Sequence, residues 1–197
     1  MRLRLPGIPT AGVVIVLLAG LLVAPAVGGT TNRALERVVA KGMFSADEGA
    51  RMQRAFAAAR QAGVEERDAL SLVETCVEGE FDASQALRML SIAAQLALEK
   101  LPVDSFIAKV EEGVSKRVSA DRVVQVAERR ALMLNKARLM LNGLVLQGFK
   151  IDDRDELLPD LAAALEAGRS LDEARAILSE ALESGEGLGS IRRKLFP

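Results

Sequence analysis

The 197-residue chain contains no His, no Trp and no Tyr, a single Cys, and only six Phe. Each absence removes a class of chemistry. Without His there is no imidazole to serve as a neutral-pH acid or base or as a metal ligand. Without Trp or Tyr there are none of the usual platforms on which sugars or nucleobases stack. A lone thiol cannot close an internal disulfide, so the fold must stand on its core. β-Favouring aromatics are scarce and no segment alternates with period two, which argues against sheet.

What is present begins with an N-terminus patterned like an export leader. Arg2 and Arg4 form a short positive region, Ala11 to Ala24 is uncharged and rich in Val and Leu, and Ala24-Pro25-Ala26 is a small-x-small cleavage site. The pattern predicts a signal peptide over 1–26, an N-terminal linker over 27–44 and one helical domain over 45–197. The alternative is an uncleaved anchor, but the apolar run falls short of the ~20 residues of a spanning helix and Pro25 interrupts it. The leader carries two Arg and no acid, so its removal leaves 24 basic against 27 acidic residues, a net charge of about −3. That balance offers no general attraction to nucleic acid or to an anionic membrane, and the expected location is periplasmic or secreted.

Helix punctuation recurs along the rest of the chain. Ser45-Ala-Asp-Glu48, Ser119-Ala-Asp-Arg122 and Ser170-Leu-Asp-Glu173 are near copies of a capping signal, and Asp82-Ala-Ser-Gln85 is a looser fourth. They predict helices at about 46–61, 65–78, 83–99, 103–112, 120–147, 153–167, 171–184 and 189–195. Gly63, Gly79, Pro102, Gly113, Gly148, Gly168 and Gly185 are the expected stops. The fold class is therefore all-α: about eight helices in an irregular bundle or a short α-solenoid of helical hairpins, with one long central helix. In that helix Val123, Ala127, Leu132, Met133, Leu134, Leu139, Met140, Leu141, Val145 and Leu146 leave only a narrow polar stripe, which predicts neighbours on more than one side. The stretches Glu66 to Leu90 and Asp153 to Leu178 read as a degenerate duplication with a one-residue gap.

The densest charge lies at Lys109, Glu111, Glu112, Lys116, Arg117, Asp121 and Arg122, around Gly113. It reads as a corner of solvated charges between two helices, or as a groove for an anion with Glu112 as a desolvated acid. The stretch Leu101 to Val123 resembles a pattern in exported bacterial α-helical proteins of unassigned activity, LP followed by K..EG..K.V. The resemblance implies a bacterial envelope protein, transfers no catalytic role, and marks Lys109, Glu112, Gly113 and Lys116.

Other candidates have plainer structural explanations. Ser105 and Lys109 are spaced like a Ser-Lys nucleophile pair, yet no oxyanion loop is recognisable. Asp152, Asp153, Asp155 and Glu156 suggest a calcium loop but lack its central Gly and terminal Glu, and acids also suit a first helical turn. Gly185-Glu-Gly-Leu-Gly189 has no preceding strand to make a dinucleotide fingerprint. Arg192, Arg193 and Lys194 could touch anionic lipid only weakly. Cys76 shares helical spacing with Ala69, Val73 and Val77 and reads as an inert buried thiol.

The functional expectation is a non-catalytic module that binds an envelope protein or itself, with Lys109, Glu112, Lys116, Arg117 and Arg122 as the binding surface and no metal, cofactor or nucleic acid. Two alternatives stand beside it. One is a carrier of an apolar ligand or lipid between helices, suggested by Met89, Met133 and Met140. The other is a carboxylate-dependent hydrolase.

Overall fold

The capping signals work as written at three of the four places where they occur. In a computed structural model, which describes residues 29–41 and 44–196, Ser45, Asp82 and Ser170 each accept a bond from the backbone N–H three residues on. Glu48, Gln85 and Glu173 bond back to the cap N–H in return. Ser119 also occupies a cap position, but its side chain makes no cap bond, and the residue three on is Arg122, which cannot accept one. The resulting helices are α1 (Gly29–Lys41), α2 (Ala46–Gln61), α3 (Glu66–Glu78), α4 (Ala83–Leu98), α5 (Val103–Ser115), α6 (Ala120–Leu146), α7 (Arg154–Glu166), α8 (Leu171–Glu183) and α9 (Leu188–Leu195). All regular structure among the described residues is helical. The leader expected over 1–26 lies outside them.

The 27–44 stretch, read as a linker, carries α1, whose Leu35 and Val38 are buried in the core. Its first turn carries no acid, one of the cues that mark a helix start.

Seven helices end in the same way. A residue in the left-handed region is followed by one whose N–H bonds back to a carbonyl five residues earlier, as from Val64 to Ala59, Phe81 to Cys76 and Leu101 to Leu96. Gly63, Gly148, Gly168 and Gly185 take the left-handed position as expected. Gly79 and Gly113 do not. After α3 and α5 that position falls to Glu80 and Arg117, and α5 runs through Gly113 to Ser115. Gly113 is needed for close approach instead, since a Cβ there would lie 2.8 Å from Val123 Cγ2 on α6. The pairing of Gly79-Glu80 with Ala167-Gly168 also accounts for the one-residue gap in the apparent duplication.

Substantial packing joins only helices one or two apart in the chain: α1 to α3, α2 to α4, α3 to α5, α4 to α6, α6 to α8, α7 to α9, and each helix to the next. This nearest-neighbour pattern is that of a short α-solenoid. It has one break, because α5 and α7 do not pack substantially on each other and the long α6 stands between them. One continuous core runs through the array and includes Met52, Leu72, Met89, Phe106, Leu134, Leu141, Leu144 and Leu161. α6 has neighbours on several sides, as expected, but it is not enclosed. Of the ten apolar side chains read as its core contribution, Leu132, Leu139, Val145 and Leu146 remain exposed.

Candidate functional site

Three of the five residues expected to form a binding corner come together. Lys109 and Glu112 lie on one face of α5, and Lys116 caps its end. Lys109 Nζ donates to Glu112 Oε2 at 2.8 Å, and Lys116 Nζ donates to Oε1 of the same carboxylate. These two charged hydrogen bonds, with the attraction of both ammonium groups, hold the Glu112 carboxyl down at about 2. Glu112 is therefore a stable anion at neutral pH, the opposite of a desolvated acid waiting to donate a proton.

The other two residues go elsewhere. Arg117, left-handed at the end of α5, lines a shallow depression with Ser71, Glu74 and Glu78 of α3 and Glu111 of α5. Arg122 stands in the first turn of α6, where its Nη1 donates to Gln125 Oε1 at 3.3 Å.

The Ser105–Lys109 pair does not form either, because Ser105 has a different partner. Arg130, 7% exposed, sends Nε to Ser105 Oγ at 3.2 Å, and its Nη2 bonds the same oxygen. Nη2 also reaches the Pro159 carbonyl at 3.2 Å, and Nη1 reaches Glu166 Oε2 at 3.4 Å. One guanidinium therefore ties α5 and α7 through α6, at the place where those two helices have no substantial packing of their own. Arg129, next in sequence, stays exposed and donates only to the Glu166 backbone carbonyl, at 3.3 Å.

A feature that the linear reading missed lies on the outer face of α6. Leu132, Leu139 and Leu146 are 53%, 60% and 89% exposed. Spaced by seven, they return to one side of the helix every two turns and form a ridge about 21 Å long. Beside the ridge a groove of about 310 Å³ runs between α4 and α6, floored by Ile92, Leu96 and Ala131. Its polar wall is satisfied internally: Arg88 Nε bonds Glu128 Oε1 at 2.9 Å, and Glu99 Oε2 accepts from Asn135 at 2.8 Å and from Arg138 at 3.1 Å. The sequence held a signal for this ridge in the seven-residue Leu spacing, but apolar spacing alone does not say which side of a helix goes uncovered.

The remaining candidates serve the fold. Asp155 and Glu156 lie in the first turn of α7, and no cluster of three potential metal ligands occurs among the described residues. The basic tail is engaged by acids: Arg192 Nε meets Asp160 Oδ2 at 2.6 Å, and Lys194 meets Glu180 at 3.0 Å and Glu186 at 2.9 Å. Gly187 caps α9, and Ser190 Oγ donates to Glu186 at 2.7 Å. Burial pushes the Cys76 thiol up to about 12, which leaves it protonated and unreactive at ordinary pH. No described helix is long and apolar enough to cross a membrane.

These features define a class by architecture alone, a short all-α array with an exposed apolar ridge. Comparison with family models, with curated proteins and with solved structures finds no match to the chain.

Proposed function

We propose that this protein is an exported, non-catalytic helical module that works by binding another protein, and that the binding surface is the outer face of α6. The observation that carries this is the ridge of Leu132, Leu139 and Leu146 beside the α4/α6 groove. Single apolar side chains scattered over a surface need no explanation, but an aligned apolar ridge rimmed by polar groups marks an interaction site. The export component is supported by the leader pattern at Arg2, Arg4 and Ala24-Pro25-Ala26. The Lys109–Glu112–Lys116 ladder is a poorer surface, because its carboxylate is already saturated by two lysines. Of the five residues of that corner, only Arg122 belongs to the α6 face.

The test is site-specific photocrosslinking in cells that make the protein. A photoreactive side chain at Leu139 should yield a discrete protein adduct that one at the exposed Arg51 of α2 does not. Adding Leu132→Asp should remove the adduct. No adduct at 139, or the same adducts at 139 and 51, sinks the assignment.

A further inference from the structure

We propose that the α6 face takes an amphipathic helix whose apolar edge is flanked by carboxylates, lying along α6 in seven-residue register. This rests on the interaction reading above and names the chemical class of the partner. Three observations carry it.

The first is charge. Arg122, Arg129 and Lys136 are also spaced by seven, so they form a basic stripe parallel to the Leu ridge. None of the three has a carboxylate partner among the described residues: Arg122 reaches only Gln125 and Arg129 only a backbone carbonyl. On the other flank of the ridge Glu128 is matched by Arg88 and Glu99 by Arg138, while Asp121 accepts only from the Gln85 amide. The face therefore presents apolar surface with unmatched positive charge along one edge, and its complement is apolar surface with negative charge along one edge.

The second is shape. A Cβ built on Gly143 would have nothing within 4 Å, so Leu139, Asn142, Gly143 and Leu146 outline an open hole with a glycine floor. A hole of four residues on a helix surface is what a single side chain of a neighbouring parallel or antiparallel helix fills. A bilayer surface, the other partner that would suit Leu with Arg and Lys, gains nothing from a hole or from the concave α4/α6 groove.

The third is spacing. Apolar residues repeating every seven, with like charges in a stripe alongside, are the arrangement by which paired helices select partner and register.

The experiment uses the leaderless chain and two fluorescent four-heptad peptides with Leu at the core positions, one with Glu and one with Lys at the flanks, each at nanomolar concentration. Anionic phosphatidylglycerol vesicles form a third arm. The Glu peptide should bind about tenfold or more tighter than the Lys peptide, with the gap narrowing at high salt. Arg129→Glu with Lys136→Glu should reverse the order, and Leu132→Asp with Leu139→Asp should abolish binding of both. Arg129, Leu132 and Leu139 are exposed and Lys136 is half-buried at the groove edge, so thermal midpoints should hold. Gly143→Gln, which fills the hole and favours helix, gives a second variant that weakens binding without threatening the fold.

Equal affinity for the two peptides, tighter binding of the Lys peptide, or failure of both overturns the acidic-helix proposal while an adduct at Leu139 keeps the interaction reading intact. Capture of vesicles in preference to either peptide overturns it in favour of a lipid surface, and concentration-dependent dimers that block the peptides overturn it in favour of a second copy of this chain. Failure of both the peptides and the adduct removes the proposal and the reading together.

Discussion

A guanidinium withdrawn from water is tolerable only when its donors are used, and Arg130 uses them on Ser105, Pro159 and Glu166. Removing it would leave the Glu166 carboxylate, itself 18% exposed and with Oε1 already lacking a partner, without its cation. Arg130→Met should therefore cost about 3 kcal/mol in urea denaturation, well above the cost of removing a surface charge. Ser105→Ala, which takes away one neutral acceptor, should cost about 1 kcal/mol. If Arg130→Met is as stable as the parent, the guanidinium is not holding α5 to α7. Nothing in the local sequence distinguishes this residue. Arg129-Arg130 reads as two surface cations, and the partners that make Arg130 structural lie 25 to 36 residues away.

At the scale of single helices, start signals can be ranked by whether the fourth residue can answer the cap. Ser170→Ala removes a reciprocated cap and should lower stability by about 1 kcal/mol, whereas Ser119→Ala removes a hydroxyl that makes no cap bond and should cost a few tenths at most. Thermal denaturation of the two variants side by side checks this, and equal losses would mean that the reciprocal bond adds nothing. The same local code explains why helices α2 to α9 were legible from the sequence to within three residues at each end: caps, first-turn acids and left-handed exits depend on neighbours within one turn. What depended on distant neighbours was not legible. Gly113 resembles a helix stop until α6 is in place, when it proves to be a point of close approach, and Gly79, which does cap α3, is also held close to Val114 of α5. Among the described side chains, α1 is recognisable only by Leu35, Val38 and Val39, which meet the core. The geometry of the candidate corner was legible only in part for the same reason. Lys109, Glu112 and Lys116 share a face by spacing alone, but the placing of Arg117 depends on α3, and the uncovered side of α6 depends on where α4 and α7 pass.

Over the whole molecule, the resolved carboxylate shifts all point one way. Glu112 is held down at about 2 by its two lysines, and Glu48 and Glu173 are lowered first by the backbone N–H and then by the hydroxyl of their cap serines. Glu186 is lowered by Ser190 and then by Lys194. Each of these groups binds its proton less readily folded than unfolded, so the folded chain carries fewer protons wherever the unfolded acids titrate, and stability rises with pH there. Their contribution is complete above the ordinary carboxylate value of 4.5 and is lost as pH falls through it toward 2. Because Glu112 is 42% exposed, solvent screening keeps its own share within about 1 kcal/mol. In an array joined through helices one or two apart in the chain, such local losses act on each junction rather than on one shared centre. Thermal midpoints should therefore be level from neutral pH down to about 5 and decline steadily from there toward pH 2. Glu112→Gln, which cannot titrate, should start lower at neutral pH and decline less steeply, so that the two curves converge near pH 2. Parallel curves for parent and variant across that range would show that the Lys109–Glu112–Lys116 ladder contributes nothing to the acid limit of the fold.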